Sequence, residues 1–271
     1  MSSSSPASPA VVLAFAASDP TGGAGLQADV LTIAAMGCHP LSVVTAITVQ
    51  DTRGVARVLP MESDWVADQA RRVLDDIPVA AFKLGVLGSP GNVRAVGQII
   101  SEHPDVPVVL DPVLASGRGD PLATEETIAA LRESIVPRTT LITPNSIEAR
   151  RLASQDTSID ECARRLLEDG CDYVLITGTH EPTADVVNRL YDGSGLLRED
   201  RWQRLPGSYH GSGCTLASAI AAAHASGLEI PDAVRDAQEY AWQTLAAGFR
   251  PGRGQFIPDR FFWAREIATR N

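Results

Sequence analysis

The chain has 271 residues, 44% hydrophobic and 21% charged, a globular balance that allows one large α/β core without requiring a second domain. The formal net charge of −10 disfavours a general nucleic-acid binder, which needs a basic face. It leaves room for an anionic nucleotide, whose phosphates a few amides and a metal ion can neutralise locally.

Residues 1–9 are rich in Ser and Pro and read as a disordered tail, with 10–271 as one domain. The tail lacks the basic start of a signal peptide, and the apolar run from Ala10 to Ala17 is too short to span a membrane. That run reads as a first strand, from Val11 to Ala16, followed by a helix over 25–36. Strands are expected at 41–49 and 55–60, a helix at 63–74, a strand at 80–87 and a helix at 90–103. Further strands are expected at 108–110 and 140–143, with a helix at 124–135 between them. Helices at 146–152 and 159–169 precede a strand at 173–177. Two antiparallel strands, 185–191 and 197–205, flank the turn Asp192-Gly193-Ser194-Gly195, and long helices cover 213–226 and 230–249. Apolar strands alternating with amphipathic helices predict a three-layer α/β fold, its central sheet mostly parallel and covered on both faces. Such sheets bind ligands beyond the carboxyl ends of their strands. Asp19, Gln50, Asp111, Asn145 and Thr177 each end a strand, so they are expected along one edge.

Four stretches carry candidate chemistry. Ser18-Asp19-Pro20-Thr21-Gly22-Gly23-Ala24-Gly25 is a glycine-rich strand-to-helix turn, either a tight connection or a loop that lets a ligand approach the backbone. Asp29, one turn into the helix, reads by default as a solvated carboxylate. Asp111, at a strand tip before Pro112, is either a ligand for a phosphate-bound metal or a loop cap. Asn145 and Glu148 straddle a helix start at a spacing that suits both a capping box and Mg²⁺. His210-Gly211-Ser212-Gly213-Cys214 opens a helix with free N–H groups, an anion cradle for a transferring phosphoryl group. Cys214 lies where a helix dipole lowers a thiol pKa, so it is either a base or substrate contact, or a packed residue. Lys83 is the only lysine, which nearly closes off mechanisms built on a P-loop lysine. The other histidines show no metal spacing. The four cysteines form no CxxC pair, which predicts a reduced, cytoplasmic protein.

Taken in order, the segments Ser18–Asp29, Val43–Val55, Lys83–Gly88, Asp111–Asp120, Thr143–Ala149 and His210–Ala222 resemble the ribokinase-like superfamily. Within it they resemble the hydroxymethylpyrimidine/phosphomethylpyrimidine kinases of thiamine biosynthesis. The resemblance implies a ribokinase-like fold that uses ATP and Mg²⁺ to phosphorylate 4-amino-5-hydroxymethyl-2-methylpyrimidine and then its monophosphate. It further implies a homodimer with no nucleic-acid or membrane partner. The implied substrate residues are Gln50, Asp29, Gly23 and Val86; the catalytic ones are Gly211, Ser212, Gly213 and Cys214. Asp111, Asn145, Glu148, Thr177, Gly178 and Arg118 are implied for ATP, with Asp111 and Glu148 toward the metal. Several positions depart from the pattern: Ala17 replaces a Gly, Val86 a Met and Gly117-Arg118 a Lys-Ser pair, while 176–180 lacks a lysine. Arg118 or Mg²⁺ is therefore expected to carry more of the phosphate charge. A pyridoxal kinase and a non-catalytic pyrimidine-binding regulator are the competing readings.

Overall fold

A computed structural model describes residues 8–153 and 157–268; the expected tail lies outside them apart from Ser8 and Pro9. Nine strands form one sheet: β1 (Val11–Ser18), β2 (His39–Asp51), β3 (Gly54–Pro60), β4 (Ala81–Leu84), β5 (Val108–Leu110), β6 (Leu141–Ile142), β7 (Tyr173–Ile176), β8 (Asp185–Asp192) and β9 (Gly195–Gln203). Their order is β3-β2-β1-β4-β5-β6-β7-β8-β9. The six from β2 to β7 run parallel, and antiparallel hairpin strands close each side. The helices are α1 (Gly25–Ala35), α2 (Ser63–Leu74), α3 (Pro90–Glu102), α4 (Glu125–Ser134), α5 (Ser146–Leu152), α6 (Ile159–Glu168), α7 (Ser212–Ala225), α8 (Ile230–Ala246) and α9 (Phe262–Ala268). Among the described residues, no helix is long and apolar enough to cross a membrane.

The two-residue period of the strands sorts the core into two layers. Leu13, Phe15, Phe82 and Leu84 pack with residues of α2 to α6. Val12, Ala14, Ala16 and Ala81 point the other way, into a layer built from α1, α7 and α8. Lys83 shares the parity of Ala81 and so faces α1 and α7. Helix α7 is buried along nearly its whole length. Its run of Ala, Ser and Gly gives it no bulky face, and this lets it lie close over the middle of the sheet.

Most expected elements are present, with three differences. The strand expected over 80–87 ends at Leu84, and the amide of Gly85 makes a last bond of 2.8 Å to Phe15 O before the chain leaves the sheet. The strand expected over 140–143 shrinks to Leu141–Ile142. Helix α9 follows an irregular segment that the periodicity does not resolve. The pair 185–205 does edge the sheet, and Trp202 and Leu205 also wall the cavity described next.

Candidate active site

A cavity of about 470 Å³ opens beyond the carboxyl ends of the parallel strands, and Asp19, Gln50, Asp111, Asn145 and Thr177 all line it. The expected gathering of strand tips is therefore present. Gln50 shares its side of β2 with Thr48, two residues earlier, and both line the cavity; the register shift beside it leaves its extra residue, Ala56, on β3. Val86 lies on the same wall. At the opposite end, β9 and α8 supply Trp202 and Trp242, stacked with ring centroids 6.4 Å apart.

Two turns meet in the middle. Asp19, 1% exposed, organises the first. Its Oδ1 accepts the Thr21 amide at 2.8 Å; its Oδ2 accepts the Ala24 amide and bonds His210 Nε2, each also at 2.8 Å. Burial pushes the Asp19 pKa up, but the bonds from His210 and the two amides outweigh it and hold the carboxyl below its usual range. Asp19 is thus a keystone between the turns. The second turn begins at Gly211, the N-cap of α7, with φ 80°. A Cβ there would sit 1.9 Å from Gly23 O, so only glycine allows the two backbones this close. The amides of Ser212, Gly213 and Cys214 are the first of the helix and have no intrahelical acceptor; all three residues line the cavity.

Beneath this turn lies a buried charge cluster. Lys83 Nζ is 2.8 Å from Asp29 Oδ1 and 4.0 Å from Asp111 Oδ2. Ser218 Oγ also donates to Asp29 Oδ1, at 2.8 Å. Burial alone would lower the Lys83 pKa; the neighbouring anions, Asp29 foremost, reverse that and hold it above its ordinary value. Asp111 is pushed up by burial, with Lys83 and then the neighbouring Cys214 thiol opposing. Burial, with Asp111 adding to it, raises the thiol itself, which overturns the expectation of a dipole-lowered pKa. A first-turn dipole is a weaker influence than loss of water beside a carboxylate.

The Asn145–Glu148 pair forms the capping box. Asn145 Oδ1 accepts the Ile147 and Glu148 amides at 3.0 Å, and Glu148 Oε2 accepts the Asn145 amide at 3.0 Å. Glu148 Oε1 accepts the Leu114 amide at 3.2 Å, and burial together with Asp111 pushes the carboxyl up to about 8. The fit to a divalent cation rests on Asp111, whose buried Oδ2 makes no hydrogen bond. Its carboxylate lines the cavity beside the anion turn, with Glu148 as a second oxygen donor nearby. Mg²⁺ typically takes one or two carboxylates plus substrate phosphates, and these residues suit it.

Four implied contacts are absent from the cavity wall. Asp29 is fully buried behind Lys83, neither solvated nor facing the cavity, with the ammonium and Ser218 both held on its Oδ1. Gly23 packs under His210, where a Cβ would lie 2.4 Å from the ring. Gly178 lies against the backbone of Val187, and its amide bonds Asn188 Oδ1 at 3.1 Å. Arg118 is exposed on a loop that is instead closed by Asp120, which accepts Ser116 Oγ at 2.8 Å and the Val55 amide at 3.2 Å. The guanidinium on the wall is Arg204, whose donors go to the carbonyls of Thr179, Glu181 and Thr183. Sequence reasoning gave no role to Lys83 or His210. A lone lysine inside an apolar strand was the available signal for the first.

The family model described as phosphomethylpyrimidine kinase matches residues 19–259, and the chain belongs to that family. It is 40% identical over 257 residues to the hydroxymethylpyrimidine/phosphomethylpyrimidine kinase of Streptomyces coelicolor, covering 92% of this chain and 93% of that one. The phosphomethylpyrimidine kinase of Clostridium difficile 630 superposes with a TM-score of 0.76 at 31% identity, over 87% of this chain and 99% of that one. The ADP complex of Bacillus subtilis pyridoxal kinase superposes with a TM-score of 0.87 at 29% identity, over 95% of this chain and 99% of that one. The fold is ribokinase-like and the chain is a phosphotransferase.

Proposed function

We propose that residues 10–271 act as one kinase domain that transfers the ATP γ-phosphoryl group to the hydroxymethyl oxygen of 4-amino-5-hydroxymethyl-2-methylpyrimidine, and a second one to the monophosphate formed. The observation that carries this reading is the shared cavity: Gln50, on the same side of β2 as Thr48, faces the same space as the amides of Gly211–Cys214. A glutamine amide offers both a donor and an acceptor to the edge of an aminopyrimidine. The first-turn amides of α7 meet the oxygens of the phosphoryl group in flight, where charge must be stabilised more than covalent chemistry supplied. The Trp202–Trp242 end takes the adenine, an apolar slot for a flat ring. Mg²⁺ held by Asp111, with Glu148 nearby, would neutralise phosphate charge. Asn145 and Thr177 stand on the nucleotide side of the wall. Cys214 acts as a neutral thiol contact to the acceptor.

The competing reading, a pyridoxal kinase, draws on the likeness to the Bacillus subtilis enzyme. Pyridoxal offers a similar hydroxymethyl group but no exocyclic amine for Gln50. A homodimer and a cytoplasmic location complete the proposal; sedimentation of the purified chain tests the first. Mass analysis of products from the pyrimidine alcohol and excess ATP tests the activity itself. Successive monophosphate and diphosphate support both transfers, monophosphate alone restricts the chain to one, and unchanged alcohol contradicts the proposal.

A further inference from the structure

Arg260 lies in the segment between α8 and α9, outside the cavity wall, and is only 3% exposed. Its guanidinium donates to backbone carbonyls and a hydroxyl rather than to a carboxylate. Nη2 donates to Gly23 O at 2.7 Å, and Nη1 to Gly22 O at 3.3 Å. Nε and Nη2 both reach Thr215 Oγ1, at 3.2 and 3.0 Å. Thr215 in turn donates its hydroxyl to Gly211 O at 2.8 Å and its amide to the same oxygen at 2.9 Å. One planar fork therefore grips the glycine-rich turn after β1 and the first turn of α7 together. The segment that carries it is itself held: Tyr240 donates its hydroxyl to Arg260 O at 3.0 Å, and the His210 amide donates to Phe256 O at 2.8 Å.

We propose that Arg260 is a positioning residue that fixes the acceptor-side turn, Asp19–Gly25, against the anion turn, Gly211–Thr215, and so sets the distance between the alcohol and the phosphoryl group. The part about alcohol and phosphoryl rests on the kinase reading above; the part about the two turns does not. The geometry favours this over a purely structural charge. A buried guanidinium whose bonds span two turns loses one of them when replaced by a lysine, whose ammonium is a single point. The Asp19–His210 bond ties the same two turns at a second place, so Arg260 removes the remaining freedom of rotation between them. In-line phosphoryl transfer is sensitive to displacements of this kind.

The test compares wild type with Arg260→Lys, Arg260→Met and Thr215→Val, the last removing the shared oxygen without touching the C-terminal segment. Amide hydrogen exchange of the ligand-free proteins comes first. Exchange is expected to accelerate at both turns together, most in the methionine variant; unchanged exchange at either turn overturns the clamp whatever the protein phosphorylates. Turnover is then measured well below each unfolding temperature, with the alcohol that wild type phosphorylates. The clamp predicts a kcat lowered by about tenfold or more with KM values within threefold, and more ADP released per phosphorylated product as water replaces the misaligned alcohol. A lowered melting temperature with kcat and the ADP-to-product ratio unchanged overturns the positioning role. Should the methionine variant fail to fold, the lysine and Thr215→Val proteins carry both measurements. A wild type inactive on either alcohol defeats the kinase reading and leaves the exchange result to decide the clamp.

Discussion

Replacing Gly211 by alanine probes the contact on which the site depends. The residue sits at φ 80°, and an added Cβ would lie 1.9 Å from Gly23 O, 2.7 Å from Gly23 C and 2.9 Å from Ala24 Cα. All three atoms are backbone, so no side chain can swing away. Restoring an ordinary contact of about 3.4 Å requires the two turns to part by ~1.5 Å. A misplacement of about 1 Å costs on the order of 10²-fold in rate, so kcat is expected to fall by at least about a hundredfold, or ~2.7 kcal/mol of transition-state stabilisation. The left-handed backbone adds a stability cost of roughly 1–2 kcal/mol. Gly37→Ala is the control: its φ is 83° with nothing within 4 Å, so it carries the strain without the clash. Both proteins are assayed by ADP release coupled to NADH oxidation, below the melting temperatures given by circular dichroism. A Gly211→Ala kcat within threefold of wild type would refute the reasoning, as would an equal loss in Gly37→Ala.

Lys83→Met leaves Asp29 buried without its counter-charge and is expected to cost about 3–5 kcal/mol in urea unfolding, with Asp29→Asn in the same chain recovering a substantial part. Additive losses would show that the pair is not coupled. Glu148, raised from its ordinary 4.5 to about 8, contributes stability that is whole below pH 4.5 and is lost as the pH climbs toward 8. Ligand-free wild type is therefore expected to lose melting temperature relative to Glu148→Gln between about pH 5 and 8, and parallel curves would contradict the buried, raised carboxyl. Cys214, held protonated by burial and Asp111, is expected to be alkylated by iodoacetamide at a rate that still rises above pH 9. A rate that levels off near neutrality would restore a thiolate base.

The parts of this molecule that could be read from its sequence are those encoded locally. Asp19, Gln50, Asp111, Asn145 and Thr177 each end an apolar run, and parallel strands carry their tips to one edge without further information. The capping box at Asn145 and Glu148 is similarly a matter of spacing. What escaped depends on packing between layers. Lys83 reads as an interruption of an apolar strand, since its partner Asp29 is distant in sequence, on the helix that docks on the face Lys83 points to. The Cys214 expectation weighed the helix dipole, visible in sequence, and could not weigh how deep the thiol is buried or the Asp111 carboxylate beside it. Arg118 looked like a substitute cation by position, but its loop turns the side chain to solvent and pins Asp120 inward. Arg260 belongs to an irregular segment with no periodicity to place it.

The central claim is that the Gln50 wall and the Gly211–Cys214 turn together define a pyrimidine kinase. The most direct test is the ratio of kcat/KM for 4-amino-5-hydroxymethyl-2-methylpyrimidine to that for pyridoxal, measured with wild type and with Gln50→Leu at saturating ATP and Mg²⁺. The predicted result is a wild-type ratio well above one that collapses by about tenfold or more in the variant, as a lost edge-reading amide requires. A wild-type ratio below one, or a ratio indifferent to Gln50, would contradict it.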